Sequence, residues 1–157
     1  MTISTEKAGF LREAIALAYT NQQQGGRPFG AVVVKDGRIV ATGVNEIHAT
    51  HDPTAHAELT ALRAASQKLQ SPNLSGCSVF ASGHPCPMCM AAMRMAGVGE
   101  VIYAYSNEEA EQYGLSTAAI YAELALPFSE QSMHIQYEPL RPEPYTGLYT
   151  EWKLKQK

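Results

Sequence analysis

After a polar start, T-E-K-A-G-F-L-R-E-A-I-A-L-A-Y-T places Phe10, Leu11, Ile15, Leu17 and Ala18 at near-helical spacing. That period predicts an amphipathic helix, stopped by Gly25-Gly26. The pattern then shortens. F-G-A-V-V-V and R-I-V-A-T-G-V flank K-D-G, so two strands join through a tight hairpin with Asp36-Gly37 at its turn. A polar loop, N-E-I-H-A-T-H-D, leads into P-T-A-H-A-E-L-T-A-L-R-A-A-S-Q-K-L, which reads as a helix with Asp52 as N-cap and Pro53 in its first position. C-S-V-F-A, between Gly76 and Gly83, reads as a buried strand, and P-M-C-M-A-A-M-R-M-A as a helix closed by Gly97. E-V-I-Y-A-Y predicts another strand, A-A-I-Y-A-E-L-A-L a helix, M-H-I-Q-Y a fifth strand, and Y-T-E-W-K-L-K a short terminal helix.

Strands that alternate with helices imply a layered α/β fold, with an antiparallel hairpin first and parallel strands afterwards. At 157 residues, 45% hydrophobic and 17% charged, the chain fits one domain with a real core. No internal repeat, low-complexity segment or linker divides it, so residues 1–157 are read as a single domain. No apolar run approaches the roughly 18 residues of a membrane span. The polar opening M-T-I-S-T-E-K lacks a signal-peptide segment, so a cytoplasmic protein without a membrane partner is expected. The net charge is −3 and no basic stripe is visible, which weighs against a nucleic-acid partner and for a small molecule.

Chemistry concentrates in two places. His56 and Glu58 fall in the first turn of one predicted helix, Cys86 and Cys89 in the first turn of the next. Cysteines three apart share a helix face, so both sulfurs can reach one point. The positive end of a helix favours thiolate over thiol. Crossover helices that start at one end of a sheet bring their first turns together, where ligands bind. His56, Cys86 and Cys89 then offer one nitrogen and two sulfurs to Zn²⁺, leaving the fourth position for water as catalytic zinc sites do. Glu58, two residues from His56, stands close enough to take a proton from that water.

H-A-E at 56–58 followed by P-C-P-M-C at 85–89 resembles the zinc-dependent cytidine-deaminase-like superfamily, whose signature is H-x-E…P-C-x-x-C. The resemblance extends over nearly the whole chain. P-F-G-A-V-V-V-K-D-G from Pro28, then Asn45, D-P-T-A-H-A-E-L-T-A-L-R and P-C-P-M-C-M-A-A-M are similar to bacterial guanine deaminases. tRNA-specific adenosine deaminases and cytosine deaminases are more distant alternatives. What the resemblance implies is a cytidine-deaminase-like, three-layer α/β/α sandwich around a mixed five-stranded sheet, one CMP/dCMP-type deaminase domain over 1–157. It further implies hydrolytic deamination of a free aminated nucleobase or related heterocycle, with ammonia released and Glu58 carrying protons. Phe29 would stack on the base, Asn45 would bond its edge, and the Ala57 backbone would take part in recognition. His84 stands where guanine and tRNA-adenosine deaminases have glutamate before P-C. Leu115, Ser116 and Thr117 stand where guanine deaminases carry acidic residues. His84 and Ser116 are therefore counted as substrate-binding candidates. Relatives are commonly homodimers or larger, so at least a homodimer is expected.

Other readings compete. A redox C-P-x-C pair would leave His56 and Glu58 without a role. A structural zinc, in a non-catalytic binding module, would need a fourth ligand, for which His84, His51 and Cys77 are the candidates. The three cysteines, an odd number, do not suggest a disulfide framework.

Overall fold

The computed structural model describes residues 2–156. Helix α1 (Thr5–Gln23) precedes the hairpin β1 (Gly30–Lys35) and β2 (Arg38–Val44). Asp36 and Gly37 both have positive φ, 52° and 72°, as a twisted two-residue hairpin turn requires. Then come α2 (Ala57–Leu69), β3 (Cys77–Gly83), α3 (Pro87–Ala96) and β4 (Glu100–Tyr105). Short helices α4 (Asn107–Glu111), α5 (Ala118–Leu124) and α6 (Leu148–Leu154) complete the order.

The four strands form one mixed sheet in the order β2-β1-β3-β4, with β1 antiparallel to both neighbours and β3 parallel to β4. Residues alternate between two buried faces, as a strand's two-residue period demands. Ala31, Val33 and Val79 pack with Ala57, Ala61 and Leu62 of α2 and Met93 of α3. Val32, Val34 and Phe80 turn the other way, toward Phe10, Leu11 and Leu17 of α1. The Phe10 and Phe80 rings meet at 5.4 Å. Helix, sheet and helix therefore make three layers.

Close approach fixes where α2 begins. A Cβ on Gly43 of β2 would lie 2.3 Å from the Ala57 carbonyl and 2.6 Å from the Ala61 nitrogen. Only a residue without a side chain lets the first turn of α2 press onto the strand in this way.

Three expectations need correction. Helix α2 starts at Ala57, with His56 as its N-cap, not at Pro53. Asp52 instead accepts hydrogen bonds from the Thr54 N–H at 2.8 Å and the Thr54 hydroxyl at 2.7 Å, a local turn that competes with a helix start. The expected five-stranded sheet has four strands among the described residues. Met133–Tyr137 keeps the alternation of a strand but joins no ladder; Met133 and Tyr137 are exposed. Finally, α4 was not expected, although Ser106 and Glu109 form a complete capping box at its start.

Contacts divide the chain into two compact units, Met1–Ala122 and Glu123–Lys157. The first contains the sheet. In the second, the end of α5, a 3₁₀ turn at Phe128–Glu130 and α6 are the regular elements, and none of its described residues is buried. No helix is long and apolar enough to cross a membrane among the described residues.

Candidate active site

The site sits where α2 and α3 begin. His56 and Cys86 are the two N-caps, each in extended conformation, and Pro87 takes the first position of α3 with its fixed φ. The Cys86 sulfur accepts the Cys89 N–H at 3.4 Å, which satisfies one orphan donor of the helix start. Cys89 is fully buried and Cys86 nearly so.

His56 Nδ1 lies 3.3 Å from the Cys86 sulfur and 3.7 Å from the Cys89 sulfur, and all three donor atoms fall within 4.8 Å of one another. A tetrahedral zinc with ordinary Zn–S and Zn–N bonds would set nitrogen and sulfur about 3.5 Å apart. The donor set fits zinc in type and in spacing. No fourth His, Cys, Asp or Glu joins the group among the described residues. His51 is exposed, and Cys77 starts β3, at the end of the strand away from Gly83 and the site.

Electrostatics agree with a cation site. The Cys89 thiol beside it and the His56 imidazole together hold the Cys86 thiol down to about 4, against the opposing effect of burial. The same shared proton, with burial, pushes the Cys89 thiol up. Two sulfurs thus hold one proton between them, and a metal that binds both displaces it. The Cys86 sulfur also raises His56. Burial raises Glu58, partly offset by the Cys89 thiol.

Glu58, in the first turn of α2, is only 7% exposed. It shares a cavity of about 60 Å³ with His56, Cys86, Ala57, Phe29, Asn45 and His84. Eight of the nine expected site residues therefore meet in one place: Cys89 is the eighth, tied to them through His56. Ser116 does not line this cavity; its hydroxyl accepts the Ala118 N–H at 3.1 Å. Its neighbours Leu115 and Thr117 line the cavity instead, and the Thr117 hydroxyl is buried with no partner. A cavity of about 760 Å³ between α1 and α4 adjoins it, sharing Phe29, Gly83, His84 and Leu115.

Phe29, Asn45, His56, His84, Cys86 and Thr117 come from four loops that the fold ties down. The Asn21 side chain at the end of α1 donates to the carbonyls of Arg27 at 2.7 Å and Asn45 at 2.9 Å. That fixes the two segments that carry Phe29 and Asn45. Asn45 is buried, and its Oδ1 accepts the Ile47 N–H at 3.3 Å, so it is a turn residue that also lines the site. The Arg27 guanidinium lies 5.9 Å over the Phe29 ring. Beyond β3, the His84 N–H bonds the Tyr105 carbonyl at 2.8 Å and extends the parallel ladder.

Residues 4–105 match the family described as the cytidine and deoxycytidylate deaminase zinc-binding region. The chain belongs to this zinc-dependent deaminase family. It is 42% identical to the guanine deaminase of Bacillus subtilis over 125 residues, 79% of this chain and 80% of that protein. A tRNA-specific adenosine deaminase of Aquifex aeolicus is 35% identical over 97 residues, 62% of this chain and 64% of the relative. The crystal structure of the B. subtilis guanine deaminase superposes with a TM-score of 0.88 at 35% identity, covering 99% of this chain and 98% of that one. A guanine deaminase from Nitrosomonas europaea gives 0.67 at 27% identity, covering 74% and 67%. The deaminase is guanine-deaminase-like, with a His/Cys/Cys zinc site at His56, Cys86 and Cys89.

Sequence reasoning missed Asn107 in this neighbourhood, and in the segment 115–117 it chose Ser116 over Thr117. Asn107 is buried, accepts the Thr117 N–H at 3.2 Å and reaches His84. The capping box around Ser106 signalled an ordered segment there, but nothing local signalled its contact with β3.

Proposed function

We propose that the chain deaminates a free aminated nucleobase, with Glu58 as its catalytic proton carrier. The observation that supports this reading is a buried carboxylate in the same cavity as the His/Cys/Cys zinc site. Bound there, zinc supplies a Lewis acid that makes water acidic near neutral pH. Glu58 takes one proton of the attacking water and passes it to a ring nitrogen. It then carries the second, from the hydroxyl now on carbon, to the amino group, which leaves as ammonia when the C–N bond breaks. Its burial favours the protonated form and so helps the second half of that cycle.

The base lies against the Phe29 ring face. The Asn45 Oδ1 is engaged with the Ile47 N–H, which leaves the amide N–H groups for the base edge. The Ala57 N–H, at the uncapped start of α2, is an orphan donor suited to the same edge. His84 meets the base from the β3 side, and Thr117 takes the place expected of Ser116. The net charge of −3 supports a small substrate over a polyanionic one. We read 1–157 as one deaminase domain, supported by the near-complete coverage of the B. subtilis structure. A cytoplasmic homodimer is our reading too. Thiolate ligands favour reducing surroundings, and the family resemblance favours the dimer, for which light scattering should give twice the chain mass.

Ammonia release from zinc-loaded protein tests the reaction, using guanine, adenine, cytosine, their nucleosides and aminotriazines. Turnover of at least one free base is expected, and silence across the panel refutes the reading.

A further inference from the structure

His84 Nδ1 lies 3.0 Å from the Pro85 carbonyl and 3.3 Å from Asn107 Nδ2. One nitrogen cannot serve both, because it must donate to the carbonyl and accept from the amide. Three observations decide which bond forms. The Thr117 N–H donates to Asn107 Oδ1, so the amide is oriented with its N–H₂ toward the imidazole. A flipped amide would set two donors against each other at Thr117. The Pro85 carbonyl already accepts the Tyr121 hydroxyl. Asn107 Nδ2, on a buried residue, has no other acceptor among the described residues.

The ring itself is clamped. Tyr103 stands edge-on at 4.9 Å and Tyr121 at 5.3 Å. The capping box between Ser106 and Glu109 holds the backbone that carries Asn107. Nε2 has no partner among the described residues and is not buried, while His84 lines both cavities.

We propose that Asn107 is a positioning residue that locks His84 as the Nε2–H tautomer, so that the site offers its substrate a hydrogen-bond donor there. The substrate it selects is an aminated heterocycle with a lone pair at that edge, a carbonyl oxygen or an unprotonated ring nitrogen. Recognition rests on the deaminase reading above; the tautomer does not. In the surroundings of Glu58 and the zinc ligands, the polar side-chain groups that remain for recognition are donors at Arg27, Asn45 and His84 and a hydroxyl at Thr117. An acceptor-bearing edge is what such a set pairs with.

Long-range ¹⁵N–¹H NMR of the zinc-loaded protein, with His84 assigned by His84→Gln, reads the lock without substrate. Wild type should show a bare Nδ1 and a protonated Nε2. Asn107→Asp keeps the acceptor for Thr117 N–H but presents an oxygen to the ring, so Nδ1 should become protonated. A protonated Nδ1 in wild type overturns the lock. For recognition, the probe is whichever of guanine, adenine or cytosine releases most ammonia. His84→Leu should raise KM about tenfold with kcat held within about twofold, and His84→Gln, which keeps an N–H donor, should recover most of it. Equal KM in wild type and His84→Leu overturns the recognition. No ammonia from any base refutes the deaminase reading, and the recognition with it, while the tautomer seen by NMR still decides the lock.

Discussion

At the scale of single residues, metal binding and the proposed proton transfer are separable because the proposal gives them to different side chains. Glu58→Gln removes the proposed proton carrier but leaves His56, Cys86 and Cys89 untouched. It should keep about one zinc per chain by elemental analysis and lower kcat by about 10²–10⁴. Full activity in that variant would mean that Glu58 carries no proton. The ligands and Glu58 were legible in the sequence because their chemistry and spacing are local. A histidine, a carboxylate and two thiols at helix starts announce themselves. Phe29 and Asn45 were legible only through resemblance, since a phenylalanine before a strand and an asparagine in a loop are ordinary by themselves. Thr117 was legible only as part of the segment where guanine deaminases carry acidic residues, with Ser116 preferred over it, and Asn107 was not legible at all. The contact of Asn107 with His84 joins the start of α4 to the residue after β3, more than 20 residues apart in sequence, and no local pattern encodes it.

At the scale of elements, the fold was read well wherever periodicity and turn chemistry agreed. The hairpin had both, and so did α3, with Pro87 at its start and Gly97 in left-handed conformation at its end. The start of α2 had competing signals. Asp52 and Pro53 look like a cap and a first turn, yet Asp52 commits its carboxylate to Thr54, and the helix waits for His56. This delay puts His56 at the N-cap position, where its ring projects beyond the helix toward the two sulfurs instead of lying along its side. Gly43 fixes the position of that first turn. Gly43→Ala forces a methyl against the backbone of Ala57 and Ala61, and α2 has to move. We expect a loss of about 2–3 kcal/mol in chemical denaturation and a weaker hold on zinc, because His56 moves with the helix. Gly76→Ala makes a useful contrast. Its φ of 84° strains any side chain, but a Cβ there meets nothing within 4 Å, so it should cost stability without loosening the metal.

At the scale of the molecule, the zinc site lies at the junction of two crossovers. His56 closes the loop between β2 and α2, and Cys86 and Cys89 close the turn between β3 and α3. A metal held by all three ties together segments 30 or more residues apart. It also resolves the shared proton on the two sulfurs and removes the conflict between burial and thiolate charge. Metal that binds the folded chain and not the unfolded one stabilises it in proportion to the logarithm of one plus the ratio of free metal to its dissociation constant. At free zinc a hundredfold or more above its dissociation constant, this contribution is about 3 kcal/mol or more. For a chain of this size that corresponds to about 6–12 °C in melting temperature. Stripping the metal with a chelator should therefore lower the melting temperature by that amount, and stoichiometric zinc should restore it. Cys86→Ser should melt near the stripped value and respond little to either treatment. A wild-type melting curve unmoved by chelator, with zinc shown to be gone, would mean that α2 and α3 hold their starting turns together by apolar packing alone. The buried contacts of Ala57, Cys89 and Met93 would then be sufficient to preform the site.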